Sequence, residues 1–452
     1  MVATNDWDWQ LYPETETFLS GLVRSFLKRN GHANIVRQEI EDTSSTRFID
    51  WVDSMEVPDG IVTGQDLQRL GYVREPKISA AGDVYVHPGA FFPIVLNTDK
   101  IHRLSLEVED LERFLAMNRL SHKKIQGEQN APLRSVVLNR ENEHSFCVVE
   151  RHGSRSFDVD PISDVKEYTT ALNMLSNRKR AFGDDMNGVE DLRDKIDTLT
   201  DTLERPRVAD AFFRTERNYW QSKNRAGLVQ FKRQELMGLG WGNHDHHTFR
   251  CSRVNFGNVI KIFEEMGLTR RERFFAGAEA GWGAQVMEQS DSGLVVFADV
   301  DLGPNEGQID FVNQKLEPLE KLGTVGLWVG LHGESVLDSG MHHLAAGSDF
   351  KGMREGLKAM EVVSMNPFSD FDFLKQSFTE AERWVPPKDR VNRLLEARLI
   401  LEKQASRFLE HGAVGSHLEI IQRNLGFKGF NQSSVSAIIR MTDPIKGSEI
   451  GG

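Results

Sequence analysis

Over residues 14–30 (ETETFLSGLVRSFLKRN) apolar side chains recur at three- and four-residue spacing, which predicts a helix, and Asn30-Gly31 predicts its end. Residues 31–95 show no single period until DVYVHPGAFFPIVL (83–96), which reads as strand, turn and strand around Pro88 and Gly89. HRLSLEV (102–108) alternates in the strand manner, EDLERFLAMNRL (109–120) has helical spacing, and LRSVVLNR (133–140) and HSFCVVERH (144–152) return to strand. Strand, helix and strands is the order of a small βαβββ module.

Residues 162–238 are different. They are rich in charge, with near-heptad apolar spacing in VEDLRDKIDTLTDTL (189–203), and are interrupted at Gly183, Gly188 and Pro206. They predict two or three helices with solvated faces that cover or bridge the halves. From Gly240 the strand signal returns. HHTFRCS (246–252) predicts a strand, NFGNVIKIFEEMG (255–267) an amphipathic helix closed by Gly267, and RERFFAG (271–277), GWGAQVMEQ (281–289) and GLVVFADVDL (293–302) three further strands. Another module is expected to begin at GTVGLWVGL (323–331). It runs through MHHLAAG (341–347), the helix FKGMREGLKAM (350–360) and a long helical insertion (389–410), and ends on SHLEIIQRN (416–424).

Paired βαβββ modules that curl around a ligand are the architecture of the vicinal-oxygen-chelate superfamily. The expected class is therefore α+β. Residues 1–160 form an α/β N-terminal domain readable as a degenerate βαβββ module. Residues 161–239 form a helical connector, 240–440 a vicinal-oxygen-chelate-like metal-binding domain, and 441–452 a C-terminal tail.

Composition narrows the function. Of 452 residues, 39% are hydrophobic and 27% charged, enough for a sizeable core. The net charge of −12 argues against non-specific attraction to nucleic acid or anionic membrane. No apolar run reaches the roughly 18 residues of a membrane span, and the N-terminus has no signal-peptide pattern. Cys147 and Cys251 cannot build a disulfide framework. A soluble, cytoplasmic protein is expected, with a small-molecule partner and no nucleic-acid or membrane partner; a homo-oligomer is compatible.

Three polar residues fall where paired modules need metal ligands. His246 opens the first strand of one module, His343 lies on the first strand-to-helix segment of the next, and Glu419 lies on that module's last strand. Two imidazoles and one carboxylate leave three open positions on an octahedral ion, which suits iron(II) that must meet a chelating substrate and O2. Manganese and zinc also accept such donors. His247 and His342 are expected to face away from their neighbours' side. His244 shares the face of His246 if its strand begins early. Glu288 has a place similar to Glu419 and reads either as a fourth ligand of the glyoxalase kind or, the favoured reading, as a surface carboxylate. Arg250 shares the face of His246 and could grip a substrate carboxylate with two hydrogen bonds, or serve a core ion pair. Phe274 to Gly283 could line a pocket or fill the core. His87, His102 and His152 have no matching carboxylate, so the N-terminal half reads as structural.

DHHTFR (245–250) with its following helix, MHHLA (341–345) and GSHLEIIQRN (415–424) resemble, in order, three motifs of the 2-oxoadipate dioxygenase/decarboxylase family, the hydroxyglutarate synthases. The resemblance covers roughly residues 245–430. It puts His246, His343 and Glu419 at the iron ligands, Thr248 at a small-residue position, Arg250 at the arginine and His342 at an asparagine, and keeps Gln422 and Arg423. It departs from the family in the roughly 240 residues that precede the first ligand and in the loop GFKGFNQSSVS (426–436). The resemblance implies an Fe(II)-dependent dioxygenase, with O2 as co-substrate and Arg250 orienting the substrate. Its product would be a hydroxylated acid, one carbon shorter than the 2-oxo acid consumed. The alternatives are an extradiol ring-cleaving dioxygenase using His332 or His417 as acid–base, a glyoxalase-like metalloenzyme, and a metal-free binding module.

Overall fold

The first helix forms where the spacing predicts it. The computed structural model describes residues 9–431, apart from 79, 81, 100, 101, 160–163 and 277–279, together with residue 444. In it α1 (Pro13–Arg29) buries Leu19, Leu22, Val23 and Phe26. Asn30 also starts a helix. Its side-chain oxygen accepts the Ala33 N–H at 2.9 Å and caps α2 (Gly31–Ser44), which the sequence hides because its buried stripe is only Ala33, Val36, Ile40 and Ser44.

Then β1 (Val52–Pro58), α3 (Gly64–Arg69), β2 (Val73–Arg74), β3 (Asp83–Val86) and β4 (Ile94–Thr98) make a complete βαβββ unit. A second unit, one strand short, follows as β5 (His102–Glu107), α4 (Leu111–Met117), β6 (Leu133–Glu141) and β7 (His144–Arg151). They share a seven-stranded sheet in the order β2-β3-β4-β1-β5-β7-β6, with β1 and β5 antiparallel at the join. The N-terminal half thus holds two modules where the pattern suggests one, since β2 has only two residues and β3 four.

The charged middle folds as α5 (Val165–Ser176), α6 (Asp185–Thr200), α7 (Arg205–Ser222) and α8 (Arg225–Glu235). It is not a solvated spacer. On α7, Phe212, Phe213 and Trp220 sit in the largest apolar core beside Phe249 and Phe263. Its charges are buried in pairs: Glu216 accepts from Arg178 at 2.7 Å and Arg180 at 2.6 Å, and Arg217 reaches Glu109 at 3.2 Å. A buried charge is tolerated only when so paired.

The C-terminal half repeats the module pair. The first is β8 (His244–Cys251), α9 (Phe256–Glu265), β9 (Thr269–Phe275), β10 (Trp282–Gln289) and β11 (Leu294–Asp301). The segment expected to open the second module as a strand is instead α10 (Thr324–His332), apolar all round and therefore without a stripe to reveal its period. Asp301 accepts the backbone N–H groups of Gly323, Val325 and Gly326 at 2.7–3.0 Å and fixes the start of α10. The second module begins later, with β12 (His343–Gly347), α11 (Phe350–Ala359), β13 (Ser369–Phe371) and β14 (Leu374–Phe378). An insertion follows: β15 (Arg383–Trp384), α12 (Lys388–Glu396), α13 (Glu402–His411) and β16 (Ala413–Val414). β17 (His417–Arg423) then completes the module. The eight-stranded order is β13-β14-β17-β12-β8-β11-β10-β9. This α+β arrangement of paired βαβββ modules is the vicinal-oxygen-chelate fold. Among the described residues no helix is long and apolar enough to cross a membrane. The predicted tail at 441–452 lies outside the described residues apart from Pro444.

Candidate metal centre

Strand register brings the three predicted ligands together. At the middle of the C-terminal sheet β8 and β12 run antiparallel, with His246 opposite Ala345 and Thr248 opposite His343. On the other side of β12, β17 runs parallel, with Glu419 beside Ala345. Alternation then sets His246, Thr248 and Arg250 on the concave face, while His247 and Phe249 turn to the helices. His247 indeed lies 3.3 Å from Arg217 and packs on Phe213.

His246 Nε2 is 3.2 Å and His343 Nε2 3.1 Å from the same oxygen, Glu419 Oε2. Metal bonds of about 2.1 Å at right angles hold neighbouring donor atoms about 3 Å apart, so the spacing fits one ion. All three side chains are buried. Among the described residues one other cluster of this kind occurs, Asp110, Glu112 and Glu150. There the Arg134 guanidinium already bonds both glutamates.

The charge state without metal follows from the same contacts. Burial alone would depress His246, but Glu419 and the Asp245 hydrogen bond outweigh it and raise the imidazole to about 9. Burial would raise Glu419; the two imidazoles hold it far below the usual carboxylate range. His343 is lowered by burial, which its bond to Glu419 only partly offsets. These directions favour an imidazolium–carboxylate pair between His246 and Glu419 when no metal is bound.

The outer partners differ for each ligand. Asp245 Oδ1 accepts from His246 Nδ1 at 2.8 Å and is itself held by Arg423 at 2.7 and 3.0 Å. Gln376 donates to Glu419 Oε1 at 2.7 Å, and Thr248 Oγ1 lies 2.8 Å from His343 Nε2. His342 departs from expectation. It lies one residue before β12, so strict alternation does not govern it. Its ring turns into the site, with Nδ1 3.1 Å from His343 Nδ1 and Nε2 3.1 Å from His417 Nε2.

Other expectations resolve as follows. His244 shares its strand with His246, but its Nδ1 meets the Trp241 carbonyl at 2.9 Å and it takes no part in the cluster. Glu288 is bound by Lys428 at 2.8 Å and Arg271 at 3.4 Å, away from the ligands. It lies on β10, whereas the strand matching β17 is β11. The local twofold relating β8 to β12 carries His246 onto His343 and Phe297 onto Glu419, since Phe297 pairs with Thr248 as Glu419 pairs with Ala345. A fourth ligand position thus holds a phenyl ring, 5.0 Å from that of His246. Among the described residues of the N-terminal half the corresponding face carries no such cluster; there Arg103 bonds Glu56, its partner in register, at 2.5 Å. His152 does have a carboxylate partner, Glu150 at 2.6 Å, but within a buried network with Tyr168.

The ligands line a small cavity of about 80 Å³ whose walls include Arg250, Asp299, Trp282 and Phe430. Arg250 therefore faces the site as predicted from its spacing, its guanidinium 5.6 Å over the Trp328 ring. Of the aromatic segment 274–283, Phe274 and Trp282 line this cavity rather than fill the core alone. His332 is not part of it; its Nε2 meets the Val414 carbonyl at 3.0 Å. Asp299 was missed by sequence reasoning, although its alternation with Phe297 in FADVD signals the same face. A larger cavity of about 560 Å³ lies between the two halves, and its walls do not include the three ligands.

No family model and no curated protein matches this chain. Solved structures that resemble it do so at low identity. A mutant 4-hydroxymandelate synthase from Streptomyces coelicolor is 12% identical over 86% of this chain and 98% of its own, with a TM-score of 0.29. The methylmalonyl-CoA epimerase of Mycobacterium tuberculosis is 11% identical over 40% and 89%, with a TM-score of 0.24. The uncharacterised protein YdcJ of Shigella flexneri, which includes the domain DUF1338, is 11% identical over 52% and 73%, also at 0.24. What the centre can do follows from its own geometry.

Proposed function

We propose that this chain is an iron(II)-dependent dioxygenase that oxidatively decarboxylates a 2-oxo acid to a hydroxylated acid. The observation that carries the reading is a buried two-histidine, one-carboxylate face whose fourth position is Phe297, so that the open side meets a cavity walled by aromatic rings. Two imidazoles and a carboxylate suit iron and leave room for substrate and O2 together. When bound, iron(II) supplies the Lewis acid and the redox centre.

The chain's own residues do the rest. His246 and His343 would hold the ion through Nε2, and Glu419 through Oε2, the atoms that converge. Asp245 fixes the His246 tautomer and raises its basicity. Arg250 binds and orients the substrate carboxylate. Phe297 and Phe430, 4.5 Å apart, exclude water from the open side. The glyoxalase-like reading asks for a fourth ligand, and Phe297 stands in its place. The extradiol reading asks for an acid–base histidine at the cavity; neither His332 nor His417 lines it, and His342, which does, has both ring nitrogens against His343 and His417.

The test is oxygen uptake and CO2 release by protein loaded separately with iron(II), manganese(II) and zinc(II), offered 2-oxo acids and catechols. Turnover of a 2-oxo acid with iron alone is expected. Catechol consumption without 2-oxo acid consumption, or zinc-supported activity without iron activity, would overturn the reading.

A further inference from the structure

Asp299 has no role in the chemistry described above. It lies on β11 directly in register with Arg250 on β8, and both line the ligand cavity. It is only 5% exposed, yet among the described residues its carboxylate accepts no hydrogen bond and lies in no ion pair within 4.0 Å. A buried carboxyl in that condition is costly to keep unless something completes it. Its partner on β10 is Ala284, which offers nothing polar, so the charged groups facing it are Arg250 and His246 on β8. Burial raises the carboxyl to about 7 against the pull of both.

Of the remaining wall residues six are aromatic, and Thr248, Gln376 and Asn431 are polar but uncharged, while His342 is held well below the usual imidazole range by burial. Phe274, Trp282, Phe297, Phe368, Phe378 and Phe430 surround the open side. Among the described residues Arg250 is the one arginine or lysine that lines it. A second substrate carboxylate would therefore find a single guanidinium and would lie against the carboxylate of Asp299.

Resting on the dioxygenase reading, we infer that Asp299 is a specificity-determining residue that restricts this centre to 2-oxo acids with an apolar body and one carboxylate, and rejects dicarboxylates such as 2-oxoadipate. The aromatic walls take up the apolar body, and Asp299 disfavours the second negative charge.

The experiment measures binding separately from turnover. Iron(II)-loaded protein is titrated without oxygen at pH 8 with phenylpyruvate, 4-methyl-2-oxopentanoate and 2-oxoadipate, followed by tryptophan fluorescence, since Trp282 lines the cavity. Wild type is expected to bind the two monocarboxylates at least about tenfold more tightly than 2-oxoadipate. Asp299→Asn, an isosteric change, should close most of that gap by tightening 2-oxoadipate. Equal or tighter binding of 2-oxoadipate by wild type, or an unchanged gap in the variant, would overturn the inference. Oxygen uptake with the same acids then bears on the dioxygenase reading alone, because the binding preference stands or falls without turnover.

Discussion

Phe297 and Glu419 occupy equivalent places in the two modules that build the centre, one on β11 beside Thr248 and the other on β17 beside Ala345. One module gives histidine and phenylalanine, the other histidine and glutamate. The asymmetry makes a three-ligand face out of a twofold-related frame, and it is the physical basis for reading the site as one that takes both substrate and O2.

That relationship can be tested by restoring the symmetry. Phe297→Glu should supply a fourth ligand, so the variant is expected to hold zinc(II) at least as tightly as wild type and to lose most oxygen uptake, because an open position has been filled. Equilibrium metal titration and an oxygen electrode read the two effects. Retained oxygen uptake with unchanged metal affinity would mean that Phe297 does not face the ion.

Asp245→Asn should loosen the centre without emptying it. Asparagine still accepts a hydrogen bond from His246 Nδ1 but withdraws the charge that raises the imidazole's basicity. Loss of such outer partners costs about 10–100-fold in metal affinity. The change also breaks the Arg423 pair, so circular dichroism should first establish that the fold persists. Affinity equal to wild type would show that Asp245 does not tune His246.

Arg250→Lys should keep the metal and lower kcat/KM by about tenfold or more, a loss of roughly 1.4 kcal/mol, since lysine retains the charge and not the planar two-pronged grip. A rise in KM alone would place the interaction equally in ground and transition states. Kinetics like those of wild type would leave Arg250 with a structural role over Trp328.

How much of this was legible in the chain depends on the length of each signal. His246, Arg250 and Glu419 could be picked out because β8 and β17 are eight and seven residues long and each shows its period, whereas His343 opens the five-residue β12 and was marked by its motif, MHHLA. Phe297 could not, because its equivalence to Glu419 requires strand register, and counting along the chain points instead to Glu288 on the neighbouring strand. His342 was placed by alternation although it precedes its strand. Α-helical α10 passed for a strand because Thr324–His332 buries nearly every side chain. Two short strands hid a whole module in the N-terminal half.

A pH effect follows from Glu334. Its carboxylate accepts from Ser252 N–H and from Asn255 Nδ2, at 3.0–3.1 Å, yet burial holds it up at about 7. The folded state therefore binds this proton more tightly than the unfolded chain does. The stability it contributes is complete below the ordinary carboxylate range, near 4.5, and is lost as pH rises through about 7. Glu334→Gln removes the titration. Between pH 5 and 8 the stability of wild type relative to this variant should fall by on the order of 2 kcal/mol. Urea unfolding of both proteins at the two pH values measures the difference, and parallel behaviour would contradict it.

The account stands on one ion held by three side chains, and anaerobic equilibrium dialysis against iron(II) tests that most directly. Wild type should bind one iron per chain. His246→Ala, His343→Ala and Glu419→Ala, each checked for native circular dichroism, should bind none at the same free iron, while His247→Ala, whose ring faces the helices, should bind as wild type does. Folded single variants that still take up a full equivalent of iron, or a wild type that takes up none, would contradict it.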